Sequence, residues 1–458
     1  MNCLDDNSPI IAQCTPTGSG ALALLRLSGN YALLIADTIS VLAHNKKLSS
    51  VKTHTIHYGW VVDGNNVRID QVLFLVMHGP HTFTGDDTVE ITCHNNPFII
   101  NAIIDAALTA GARIAQQGEF SRRAVLNNKI DLTQAEAINE LIHANTQHAL
   151  KQSLSQLQGS FSNWIHQLEK ELLHALALAN ASFEFLDEEN MEFGQQITDI
   201  INSITSTIEQ LKKTFNQQQQ IRQGIRIAIV GSVNTGKSSL FNALLNQERA
   251  IVTNIAGTTR DAIEAGLYKN GNYWTLIDTA GLRTTNDVIE QMGIIKSYAE
   301  AQKADIILLV FDGSRPLSTD ELKVYNTIID QYEKKLIIIH NKSDLLQKNY
   351  SFTNHQIIKT SSISKKNISH VEQAIQDKIA YLFASIDSPF LLNQRHYNAL
   401  ISLEQQLNTI TSMLTGSVSY ELVAYHLQDT LATLSELTGK SISEASMDAI
   451  FRQFCVGK

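Results

Sequence analysis

The sequence predicts a multidomain protein of mixed α/β and α+β class: a β-rich N-terminal part, a helical bundle domain, and an α/β unit inserted into that helical domain. Three observations carry this reading. The chain has 458 residues, which at roughly 150 residues per domain suggests about three domains. Between about 225 and 375, short apolar strand-length runs alternate with helical stretches, the pattern of a buried parallel sheet. On both sides of that stretch, leucines recur at spacings of three and four.

The elements follow in order. Residues 1 to about 120 read as mostly strands. In 88–94, Val89, Ile91 and Cys93 alternate with Glu90, Thr92 and His94, which marks a half-buried strand. Residues 22–27 and 72–77 are further strands, and a helix with proline at its start is expected over 97–110. Leu150, Leu154, Leu157, Phe161, Ile165, Leu168, Leu172 and Leu176 predict one long amphipathic helix. The glutamine run 217–220 reads as a solvated helix end or linker. Strands are expected at 225–230, 274–277, 306–311 and 335–340, with another at 356–360. Helices return after about 385, with Leu400, Leu403, Leu407 and Ile410, then Leu427, Leu431 and Leu434. The domains are expected at 1–122, 123–222, 223–380 and 381–458, the second and fourth forming one helical domain or, alternatively, two separate ones.

Composition bounds the function. Hydrophobic residues make up 43% and charged residues 18%, which excludes a largely disordered chain. The net charge of −9 excludes non-specific adhesion to polyanions and confines any nucleic-acid contact to a local surface. Four cysteines without a CxxC spacing fit a reducing compartment. The N-terminus carries Asp5 and Asp6 and does not read as a signal peptide, and no apolar run approaches a membrane span. A soluble cytoplasmic protein is expected.

The motifs define a nucleotide site. The stretch from Gly231 to Ser238 fits GxxxxGK[ST] between a strand and a helix. Such a loop wraps phosphates with backbone N–H groups, Lys237 reaches the β and γ phosphates, and Ser238 is placed to ligate Mg²⁺. Asp278, Thr279, Ala280 and Gly281 follow a strand, so the carboxylate can hold Mg²⁺ through water while the glycine N–H approaches the γ-phosphate. Asn341, Lys342, Ser343 and Asp344 follow another strand. A carboxylate there accepts guanine N1–H and the 2-amino group, which adenine cannot offer as a pair. Ser361 and Ser362 can bring an N–H to guanine O6. Four elements in this order imply a GTP-binding domain. Leu282 stands where many small GTPases carry the glutamine that orients water. Thr258 and Thr259 lie in the loop where a switch threonine ligates Mg²⁺, and Asn234 is a candidate ligand for a further monovalent cation.

These residues lead to a family. The chain resembles the MnmE (TrmE) tRNA-modification GTPases over essentially its full length, in the stretches IIAQCTPTGSGALALLRLSG, FTGDD, GEFSRRAVLNNKIDLTQAEAI, GSVNTGKSSLFNALL, IVTNIAGTTRD, DTAGLR and the terminal FCVGK. The resemblance implies an N-terminal domain that binds a tetrahydrofolate derivative (5-formyl or 5,10-methylene) and dimerises, a helical domain, and an inserted Ras-like G domain. It implies a homodimer that joins the flavoprotein MnmG in a heterotetramer. Together they install an aminomethyl or carboxymethylaminomethyl group on C5 of the wobble uridine of certain tRNAs. The flavin chemistry belongs to MnmG, and the folate supplies a one-carbon unit.

The resemblance also assigns residues. Asn234, Thr235, Gly236, Lys237, Ser238 and Ser239 match the phosphate loop. Thr253, Asn254, Ile255, Ala256, Gly257, Thr258 and Thr259 match the switch segment, with Thr259 joining Ser238 on Mg²⁺. Asn234, Thr253, Ile255 and Thr258 would cage K⁺, and Glu290 matches the acid that orients the hydrolytic water. The base site extends through Ile363. Arg26, Glu90, Lys129 and the tail residue Lys458 match folate-contacting positions, and Cys455 is the tail cysteine, a nucleophile or a small apolar residue. From the residues alone, Glu90 reads as solvated, whereas Arg26 interrupts an apolar strand and so is expected to be paired or functional. Three departures stand out: His94-Asn95-Asn96-Pro97 replaces His-Gly-Gly-Pro, Val456 replaces isoleucine, and Gly20-Ala21 replaces a glycine pair. Two other readings compete, an assembly GTPase with RNA-binding flanks and a folate-dependent aminomethyltransferase with a degenerate G domain. The first lacks a strong basic block in the flanks, and the intact motifs oppose the second.

Overall fold

The computed structural model describes residues 8–182, 193–245, 263–278, 300–345, 356–383, 388, 390–415 and 418–457. The chain divides into two compact units, one of 1–142, 154–205 and 398–458, the other of 143–153 and 206–397.

The first unit begins with a seven-stranded sheet. Its strands are β1 (Ile10–Gln13), β2 (Leu22–Ser28), β3 (Ser40–Leu42), β4 (Thr55–Val62), β5 (Arg68–Met77), β6 (Thr88–His94) and β7 (Arg113–Ile114), in the order β3-β4-β5-β6-β2-β1-β7. Only the β1–β7 pair is parallel. Period-2 alternation sends Leu25, Leu27, Phe74, Val76, Val89 and Ile91 to one face. There they pack on α1 (Ala32–Thr38) and α2 (Pro97–Thr109), burying roughly 1.5–3 kcal/mol of apolar side chain each. Asn95 and Asn96, where glycines were expected, have ordinary backbone angles. The Asn95 amide donates to Gly18 O at 2.8 Å, and Asn96 caps α2 by accepting the Phe98 N–H at 2.9 Å. At one end of the opposite face, Ile10 and Ala12 pack with Phe83 and Phe120, the latter on α3 (Glu119–Leu126). Further along that face Leu22, Ile56, Tyr58 and Leu73 are exposed.

The helical sequence that follows is not one long helix. It forms α4 (Leu132–His143), α5 (Gln147–Leu157) and α6 (Ser160–Ala181). The expected helix from 150 to 176 breaks at Gly159, whose φ of 96° is left-handed and lets the chain turn before α6. The leucine spacing runs on across the break because both helices need an apolar face, so spacing alone hides it. α7 (Phe193–Gln223) carries the glutamine run within its C-terminal end.

The second unit holds a six-stranded sheet in the order β13-β12-β11-β8-β10-β9. Its strands are β8 (Ile225–Val230), β9 (Ile263–Lys269), β10 (Asn272–Asp278), β11 (Ile306–Asp312), β12 (Leu336–Asn341) and β13 (Ile357–Lys359). All pairs are parallel except β9–β10. Helices α8 (Lys237–Leu245) and α10 (Ile368–Phe383) cover one face of this sheet and α9 (Thr319–Tyr332) the other. The segment 143–153 belongs to this unit because Gln147 N–H donates to Gly271 O at 2.8 Å and Tyr273 N–H to Asn145 O at 2.9 Å. In the first unit α11 (Gln394–Met413) supplies Leu400 to Ile410, α12 (Tyr420–Thr438) packs on α6, and α13 (Glu444–Phe451) leads to the tail.

The start of α9 is a capping box. Ser318 Oγ accepts the Glu321 N–H at 3.1 Å, and the Glu321 carboxylate accepts the Ser318 N–H at 2.9 Å. Arg315 grips the same carboxylate with both terminal nitrogens, at 2.9 and 2.6 Å. The Arg315 hydrogen bonds hold Glu321 down to about 2 from its usual 4.5, against desolvation. A depressed carboxyl stabilises the fold above its unfolded pKa and stops doing so as pH falls through the folded one. Glu321→Gln should therefore cost about 1 kcal/mol near pH 7, the value being small because solvent reaches Arg315. The gap from wild type should close between pH 4.5 and pH 2. Thermal melts of both proteins across that range check this; a gap unchanged at pH 3 refutes it.

Candidate functional site

The nucleotide motifs meet at the C-terminal edge of the parallel sheet of the second unit, where open α/β folds place ligands. The P-loop leaves β8 and enters α8. Asn234 takes a left-handed φ of 62°, a conformation asparagine tolerates, and its side chain is exposed. Gly236 has φ 91°, and a Cβ there would lie 2.3 Å from Asn341 Nδ2, so only glycine fits. Thr235 is fully buried, whereas Ser238 and Ser239 are exposed in the first turn of α8. Lys237, 7% exposed, donates from Nζ to Gly231 O at 2.8 Å and Ser232 O at 2.7 Å. Burial lowers its pKa, and the charge of Asp278 works in the opposite direction. Asp278 is buried at the end of β10, so Asp278 and the Ser238 hydroxyl offer the oxygen donors that suit Mg²⁺.

Asn341 links three segments. Its Nδ2 donates to Thr235 O of the P-loop at 2.9 Å, and its Oδ1 accepts from Ser362 N at 3.1 Å and Ser362 Oγ at 2.9 Å. Lys342, with φ 61°, pairs with Asp312 at 2.6 Å. Ser343 N–H donates to Thr360 O at 2.9 Å. Asp344 is exposed, and a hydrogen bond from the Ser361 hydroxyl lowers its pKa. Ile363 is 82% exposed. Thr253, Asn254, Ile255, Ala256, Gly257, Thr258, Thr259, Thr279, Ala280, Gly281, Leu282 and Glu290 lie outside the described residues.

In the first unit, Arg26 and Glu90 sit opposite one another on β2 and β6 and form an ion pair. Arg26 Nε and Nη2 reach Glu90 Oε1 at 2.9 and 2.8 Å, with side chains 18% and 16% exposed. The guanidinium lies over the rings of Phe83 and Phe120, at 5.6 and 5.5 Å. Arg26 is thus paired, and Glu90 is its partner, not the solvated residue that its strand position suggests. Lys129 is exposed beside the loop that carries Phe83: a Cβ on Gly85 would stand 3.1 Å from Lys129 Cε. The tail reaches β1, since a Cβ on Gly457 would meet Gln13 O at 2.6 Å, and the Cys14 thiol donates to Gly457 O at 3.1 Å. Cys455 is exposed, and its carbonyl accepts the Gly118 N–H at 3.4 Å. Among the described residues no hydrogen bond or ion pair joins Lys129 or Cys455 to the Arg26–Glu90 pair; Lys458 lies outside them.

Sequence reasoning missed Phe83, Phe120 and Asp312. Asp312 had a signal, a carboxylate closing a fully apolar strand. The two phenylalanines had none, because nothing local ties them to Arg26.

Comparison with known proteins agrees along the whole chain. Residues 9–129 match the family described as GTP-binding protein TrmE N-terminus, and residues 132–455 match the MnmE helical domain. The tRNA modification GTPase MnmE of Lachnoclostridium phytofermentans is 37% identical, over 98% of this chain and 99% of that protein. Those of Flavobacterium psychrophilum and Bacillus subtilis are 38% and 36% identical, with the same coverage. With matches of this length at both the domain and the whole-chain level, the chain belongs to the MnmE (TrmE) family of tRNA modification GTPases.

Proposed function

We propose that this GTPase is K⁺-dependent and works with the flavoprotein MnmG to install an aminomethyl or carboxymethylaminomethyl group on C5 of the wobble uridine of certain tRNAs. The observation that carries the reading is a GTP site assembled at one sheet edge within a chain whose full length aligns with tRNA modification GTPases. The proposed domains are 1–122 for folate binding and dimerisation, 123–222 with 381–458 as the helical domain, and 223–380 as the G domain. Dimerisation has support in the exposed apolar residues Leu22, Ile56, Tyr58 and Leu73 on one sheet face, the kind of patch that marks association. We place the protein in the cytoplasm; among the described residues no helix is long and apolar enough to cross a membrane.

In the proposed G site, Asp344 accepts the two guanine donors, and Ser361 to Ile363 border the base. Lys237 exchanges the Gly231 and Ser232 carbonyls for phosphate oxygens. Ser238 and Thr259 would hold Mg²⁺. Asn234, Thr253, Ile255 and Thr258 would hold K⁺, which supplies positive charge against the β and γ phosphates, a contribution worth several kcal/mol in phosphoryl transfer. Glu290 would orient water in place of the glutamine that Leu282 replaces. In the proposed folate site, the Glu90 carboxylate and the rings of Phe83 and Phe120 suit a flat heterocycle with N–H donors. Lys129 and Lys458 offer cations for its carboxylates, and Cys455 stands in the adjoining tail. The folate supplies the one-carbon unit when bound.

Three experiments test these roles. Asp344→Asn should lose GTP affinity by a factor on the order of 10⁴ and gain affinity for xanthosine triphosphate; unchanged GTP binding removes Asp344 from base selection. GTPase rates in matched KCl and NaCl should be high and low respectively, Asn234→Ala should lose the difference, and Glu290→Ala should lower kcat with binding nearly intact. Equal rates in the two salts rule out the cation role. Mass spectrometry of tRNA nucleosides from a deletion strain should show unmodified wobble uridine, restored by the full chain. Arg26→Ala and a chain lacking 455–458 should fail to restore it while still hydrolysing GTP. Restoration by both would take the folate residues out of the reaction.

A further inference from the structure

The P-loop is held from behind by a polar cluster that the nucleotide motifs do not account for. Tyr325, on α9, is 1% exposed and packs beside Phe311, Ile328 and Ile329. Its hydroxyl emerges at Ser232, the second residue of the loop. The Ser232 N–H donates to Tyr325 Oη at 3.0 Å, and that hydroxyl donates to Ser232 Oγ at 2.8 Å. The Ser232 side chain also helps to lower the pKa of the Glu321 carboxylate, which Arg315 clamps. The Ser232 carbonyl faces the other way and accepts Lys237 Nζ at 2.7 Å and Thr235 Oγ1 at 3.0 Å. Ser232 is thus a hinge pin: its N–H and hydroxyl are fixed to α9, and its carbonyl to the residues that meet phosphate.

Two physical arguments give this consequence. A phenol buried in an apolar cluster must find a hydrogen-bond partner, so the Tyr325 hydroxyl has a strong preference for the loop position that supplies one. A phosphate-binding loop that is already shaped loses less conformational freedom on binding than one that must be ordered by its ligand. We propose that Tyr325 and Ser232 form a positioning pair that presets the P-loop for phosphate and thereby sets nucleotide affinity. The proposal rests on residues 231–239 being the phosphate loop, and it adds a residue 93 positions away in sequence to that site.

Tyr325→Phe removes one oxygen and keeps the ring in the core. A lost hydrogen bond of ordinary strength should weaken GTP and GDP binding about 3- to 10-fold, and equally, because the two share the phosphates nearest the loop. The kcat at saturating GTP should stay within about twofold, since the hydroxyl does not touch the transferred phosphoryl group. Ser232→Ala should weaken both nucleotides in the same way, and the double variant should lose less than the product of the single losses. The measurement is fluorescence titration of the full chain with labelled GTP and GDP, together with steady-state kcat and KM. Wild-type affinity in both single variants, multiplicative losses, or a fall in kcat with affinity intact would each overturn the pair. A change in melting temperature alone, without a change in affinity, reduces Tyr325 to a core residue and also overturns it. Should Tyr325→Phe fail to fold, Ser232→Ala gives the same reading. Lys237→Ala tests the loop assignment separately: it should bind nucleotide far more weakly, and wild-type affinity there would sink the assignment and the proposal with it.

Discussion

The amide of Asn341 is the contact on which the nucleotide site depends. It is buried, so both its donor and its acceptor must be satisfied within the protein. The two ends are satisfied by different loops: Nδ2 by the P-loop at Thr235 and Oδ1 by the loop after β13 at Ser362. One side chain therefore ties together the P-loop and the loop after β13, which the proposed function assigns to phosphate and to base. The neighbouring contacts extend the same logic. Lys342 is tied to Asp312 and Ser343 to Thr360. The ends of four parallel strands leave polar groups without ladder partners, and the motif residues supply those partners.

The sheet of the first unit shows a second way of handling polar groups. Its helix-covered face is mostly apolar, with the buried Asp70 accepting the His94 N–H at 2.8 Å, and its other face is divided. At one end Phe83 and Phe120 enclose Arg26, and Glu90 neutralises it. A largely buried guanidinium without a carboxylate and without aromatic faces would be costly, so this end is a built polar feature and not a gap in the core. At the other end the face carries exposed Leu, Ile and Tyr side chains, which water solvates poorly. Two residues beyond Arg26 on β2, the buried Ser28 hydroxyl hydrogen bonds to the Thr84 and Thr88 hydroxyls, each at 2.8 Å.

Much of the fold was legible because it follows from local periodicity. β6 and β8 fall where alternation and apolar runs place them, and α2 begins at its proline. The strands β1, β3, β4, β7 and β9 were not individually anticipated, and the expected long helix is broken at Gly159. Those features depend on pairing and turning, which periodicity does not encode. β4 alternates Thr55, His57 and Gly59 with Ile56, Tyr58 and Trp60, but Ile56 and Tyr58 are exposed, so its apolar half does not mark a buried face.

The sequence by itself determined the nucleotide chemistry, because GTP recognition needs particular residue types at short fixed spacings within single loops. It also determined family membership, through seven such stretches in order. Only the tertiary structure decided what holds those loops. Glu90 lies 64 positions from Arg26, Ser362 21 from Asn341, and Tyr325 93 from Ser232. The physical reason is that a buried polar atom is satisfied by whatever folding brings within about 3 Å. That proximity comes from strand pairing, from loops that meet at one sheet edge and from a helix packed on a sheet, and no local spacing records it.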